Sequence, residues 1–71
     1  MNLAPLERVA RRLPAAMPVY QHLLKQSTRM RPLQFEAYAS THIRDAIAFA
    51  DEFGKPILAA AYRSAMKEMG R

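Results

Sequence analysis

The sequence predicts an all-α protein, a small four-helix bundle built as one domain over residues 1–71. Three observations point there. Ala occupies 13 positions, and Leu, Met, Arg and Gln, all strong helix formers, are plentiful. No stretch sustains the apolar–polar alternation of a strand, and no Asn-Gly or Asp-Gly pair marks a hairpin. The five prolines fall between the periodic runs, where they act as punctuation.

The first helix is expected over residues 4–12, with Asn2 as N-cap and Pro5 in the first turn. Leu6, Val9, Ala10 and Leu13 form its apolar stripe, and Arg8, Arg11 and Arg12 lie on the other side. Pro14 stops it, because its ring crowds the preceding turn and it has no N–H to give. A short connection, 15–17, leads to a second helix over 18–26 that turns Val19 and Leu23 inward, with Tyr20 and Leu24 as further candidates for the inner face. Residues 27–31 read as a loop.

The third helix, 32–53, carries Phe35, Ala39, Ile43, Ala46, Ala50 and Phe53 at steps of four, four, three, four and three residues. That spacing suits one continuous amphipathic helix. Ser40 and Thr41, which favour caps over helix interiors, mark the point where a break is the alternative. Gly54 caps the end. The fourth helix, 56–69, opens on Pro56 and lines up Leu58, Ala61, Tyr62, Ala65, Met66 and Met69 before Gly70. The expected arrangement lays helices one and two end to end along helix three, with helix four folded back on it. Phe35, Ile43, Phe49 and Phe53 are expected in the core, with Leu23, Leu58 and Tyr62 against them.

Size bears on association. A chain this short buries only about 60% of its unfolded surface, and domains of this size commonly rely on a staple. With no Cys, a disulfide is excluded, and the two histidines, His22 and His42, lack partners at metal-ligand spacing. A homodimer is the device left. The apolar line Phe35, Ala39, Ile43, Ala46, Ala50 and Phe53 serves either as its seam or as the intramolecular core; its small alanines admit close approach in both cases.

The same composition narrows function. No apolar run approaches the roughly 20 residues of a membrane span. No secretory signal follows the basic start, so the location expected is cytoplasmic. No glycine-rich phosphate loop exists with only Gly54 and Gly70 present. Ser40, Thr41, His42 and Asp45 include nucleophile, base and acid, but on one helix His42 points away from Asp45, so they do not converge as nucleophilic catalysis requires. No enzyme, cofactor, metal or small-molecule substrate is therefore expected. His42 falls among Phe35, Tyr38, Phe49 and Phe53. There it is either a core-edge side chain bonded to a carbonyl or tyrosine hydroxyl, or a ligand or partner contact, or part of a pH-sensitive dimer interface.

Charge is the functional signal. Residues 1–31 hold Arg8, Arg11, Arg12, Lys25, Arg29 and Arg31 against Glu7 alone, whereas residues 32–71 balance five cations with five carboxylates. The whole net charge of +5 thus sits in the first 31 residues. Arginine suits bidentate phosphate contacts, so Arg8, Arg11, Arg12, Arg29 and Arg31 are candidate contacts to nucleic acid, DNA included. Docking to an acidic protein surface is the alternative. A helix-turn-helix is not expected. Ala50 and Gly54 have its spacing, but Lys55 and Pro56 occupy the turn, and Ile57, Leu58, Ala61, Tyr62 and Ala65 offer little that reads a base edge.

Overall fold

The computed structural model describes residues 1–70; Arg71, counted in the charge balance above, lies outside them. The chain forms α1 (Ala4–Arg12), a 3-10 turn (Pro14–Ala16), α2 (Met17–Ser27), α3 (Pro32–Glu52) and α4 (Pro56–Met69), with no strand among the described residues. Sequence and structure agree on helix bounds to within one residue, and α3 runs unbroken through Ser40 and Thr41. No helix of the described residues is long and apolar enough to cross a membrane.

Prolines start every segment. Pro5, Pro14, Pro18, Pro32 and Pro56 each occupy one of the first two positions of a helical segment. There the fixed φ is already helical and the missing N–H has no partner to lose. None of the four N-cap side chains makes a capping bond. Asn2 acts one position earlier than expected, its Oδ1 accepting from the Ala4 amide at 3.0 Å.

The α3–α4 turn is a Schellman motif. Gly54 takes φ 68°, the Gly54 amide donates to the Asp51 carbonyl at 3.3 Å, and the Lys55 amide donates to the Ala50 carbonyl at 2.8 Å. α4 thereby folds back along α3 in the most extensive packing of the molecule.

The end-to-end layer of the first two helices does not form. The 3-10 turn after Leu13 reverses the chain, so α1 packs chiefly on α4, and α2 lies against α3 and α1. Leu6, Leu23 and Ile43 are fully buried at the centre. Val9, Ala10, Ala16, Phe35, Ala39, Tyr62, Ala65 and Met69 surround them. Six of the thirteen buried apolar residues are alanine, so the helices approach closely while burying little area each.

Two core expectations fail. Phe49 and Phe53 are each 60% exposed. α2 has 11 residues and reaches about 16 Å, whereas the 21 residues of α3 extend about 31 Å. His42, Phe49 and Tyr38 lie on the edge of α3 that faces α2. Phe49 and Phe53 sit past the point where α2 begins, and Phe53 is already the C-cap. The predicted apolar stripe therefore divides. Phe35, Ala39, Ile43 and Ala50 are buried, Ala46 is half-buried, and Phe53 is exposed.

Candidate nucleic-acid interface

Helix α1 buries Leu6, Val9 and Ala10 and so turns its arginines outward. Arg8, Arg11 and Arg12 line one shallow surface depression. Two of them are engaged: an Arg8 Nη donates to Glu68 on α4 at 3.1 Å, and an Arg11 Nη donates to Glu7 one turn earlier at 2.8 Å. Arg12 has no ion pair among the described residues.

Neither Arg29 nor Arg31 lines that depression. Arg31 immediately precedes α3, which carries the chain about 31 Å to Gly54. The segment after Arg12, Leu13 to Ala15, shares a groove with Gly54, Pro56 and Ile57 at that far end. The end of α1 thus points away from Arg31, while its start lies nearer the beginning of α3, where the Met1 amino group pairs with Glu36.

In place of Arg29 and Arg31 the fold gathers cations that the charge balance along the chain concealed. Arg44 of α3 and Arg63 and Lys67 of α4 line a depression of about 420 Å³ between the two helices. Arg63 donates to Asp51 across the hairpin at 2.5 Å. The available signal was the four-residue spacing of Arg63 and Lys67, which places them one turn apart on one face of α4. Arg44 joins them only because the tight turn folds α4 onto α3. Glu68, next to Lys67, ties Arg8 of α1 to the same helix. The cations of α1, α4 and α3 thus form a band across one side of the bundle, with α4 in the middle.

The carboxylates in this band do not close it to an anion. The Arg8–Glu68, Arg11–Glu7 and Arg63–Asp51 pairs are solvent-exposed. Exposed pairs are worth about 0.2–1 kcal/mol, so each carboxylate holds its guanidinium weakly. A phosphate can displace the carboxylate from the guanidinium at small cost.

The histidines meet on the other side. His22 of α2 is hydrogen-bonded through Nε2 to the Tyr38 hydroxyl, and its ring centroid lies 4.8 Å from that of His42. The tyrosine partner is thus held by His22, while His42 stacks on Tyr38 at 5.9 Å. Burial, and then the neighbouring His22, hold His42 below its ordinary 6.5, against a smaller upward pull from Asp45. Among the described residues no three His, Cys, Asp or Glu side chains gather as metal ligands. Ser40 and His42 open onto different depressions.

Fold and surface together define a small basic four-helix bundle with a cationic band on α1, α4 and α3. Comparison with protein families, curated proteins and solved structures finds no match for this chain.

Proposed function

We propose that the protein is a nucleic-acid-binding accessory factor. It contacts phosphates through Arg8, Arg11 and Arg12 on α1 together with Arg44, Arg63 and Lys67 on α3 and α4. The observation that supports this most is the second triad, in which residues distant in sequence line one depression. Phosphate contacts position a protein on nucleic acid without reading sequence, so the role is sequence-tolerant binding rather than operator recognition, and it goes with a cytoplasmic location. Arg29 and Arg31, in the loop before α3, line neither depression.

The acidic-protein alternative draws on a different feature. Leu33 is 82% exposed, close in sequence to Arg29 and Arg31, a mixture of apolar and cationic groups suited to a protein surface. Titration of random duplex DNA at two salt concentrations separates the readings. Each phosphate contact contributes about −0.9 to the slope of log affinity on log salt. Arg44→Ala with Lys67→Ala should weaken binding on every sequence and make that slope shallower by about two. No DNA binding at low salt transfers the assignment to the acidic protein partner.

A further inference from the structure

The bare end of α3 carries both parts of a self-complementary contact. An apolar groove of about 360 Å³ is walled by Ala15, Val19, Ala46, Leu58 and Tyr62, with Phe49 at its side. The Phe49 and Phe53 rings, tilted at 35° with centroids 4.4 Å apart, project beside it with Ile57, which is 73% exposed. We propose that a second copy of this chain docks here. The Phe49–Phe53 pair of each copy enters the groove of the other about a two-fold axis.

A two-fold interface requires that one patch hold both the knob and the hole, since each residue pairing occurs twice. This patch does. Its charge also suits a like partner. The protein carries +5 overall, but Asp45 and Lys55 both border the groove, so the charge lining it is balanced. A two-fold pairing sets Lys55 against the partner's Asp45 instead of cation against cation. An acidic partner would instead meet Asp45. The alanine-rich core gives a further reason, because small side chains bury less apolar area each than larger ones would. The residues once equally eligible as a dimer seam, Phe35, Ala39, Ile43 and Ala50, are consumed by intramolecular packing.

The groove shares no residue with the Arg44–Arg63–Lys67 depression. Docking would leave the cationic band open and present it twice. The inference stands independently of what that band binds.

Sedimentation equilibrium of the full chain, without nucleic acid, provides the test. The wild type should be dimeric. Phe53→Asp should lower the association constant about thirtyfold or more, the size of an interface hot spot. Its far-ultraviolet dichroism should stay unchanged, because Phe53 is exposed in the single chain. Asp45→Lys and Lys55→Asp should each weaken the dimer, and the double exchange should restore it. A wild type that stays monomeric at about 1 mM overturns the proposal. So does a dimer indifferent to Phe53→Asp, or a double exchange no stronger than its parents.

Discussion

Between Pro32 and Ile43, the edge of α3 toward α2 is covered: His22 meets Tyr38 and His42 there, and Phe35 is buried. Beyond Asp45 the same edge is bare and shows Phe49 and Phe53 to solvent. Both halves belong to one regular helix, so the contrast comes from the neighbour and not from the helix. It shows that an apolar stripe states what a helix can bury, while the length of the facing helix decides how much it does bury.

The sharpest contrast between the halves is in stability. Phe35→Ala should cost about 3–5 kcal/mol, much of what a small domain possesses. Phe53→Ala, measured in dilute protein, should cost about 0.5 kcal/mol or less. Urea denaturation of both variants checks this, and equal losses would erase the distinction. At the end of the bare half, Gly54→Ala should cost about 1–2 kcal/mol. The reason is backbone alone, since φ is 68° and an added Cβ has no atom within 4 Å. A neutral result would mean that the Schellman turn does not fix the α3–α4 hairpin.

The smallest effect belongs to His42, where cover gives way to groove. His22 faces it from α2, Tyr38 and Asp45 flank it on α3, and Lys55 and Tyr62 line the same groove from the α4 side. Its proton affinity is depressed in the folded chain, so below the ordinary 6.5 the unfolded chain takes up a proton that the folded chain resists. Stability should be complete above that value and decline modestly as the pH falls beneath it. His42→Gln should flatten that decline in a series of melting curves. An identical decline in the variant would assign it to another group.

Much of the fold was legible because it is local. Proline positions set the helix starts, Gly54 set the turn, and the steps from Phe35 to Ala50 set the buried face of α3. The fates of Phe49 and Phe53 were not, because they depend on where α2 begins in space. The candidate site was legible only in part for a similar reason. Arg8, Arg11 and Arg12 share a face through helix geometry alone, whereas Arg44 meets Arg63 and Lys67 only through tertiary packing. Whether Arg29 and Arg31 share the face of α1 was not legible either, because the place of their loop depends on packing; they do not line the α1 depression.

The central claim is that the bare half of α3 is bare only in the single chain. Thermal unfolding of the wild type and of Phe53→Ser, each at about 10 µM and about 1 mM, tests it directly, since association that favours the folded state makes the midpoint depend on concentration. The account predicts a wild-type midpoint that rises with concentration and a Phe53→Ser midpoint that does not. A wild-type midpoint unchanged between the two concentrations, or a rise equally large in the variant, would contradict it.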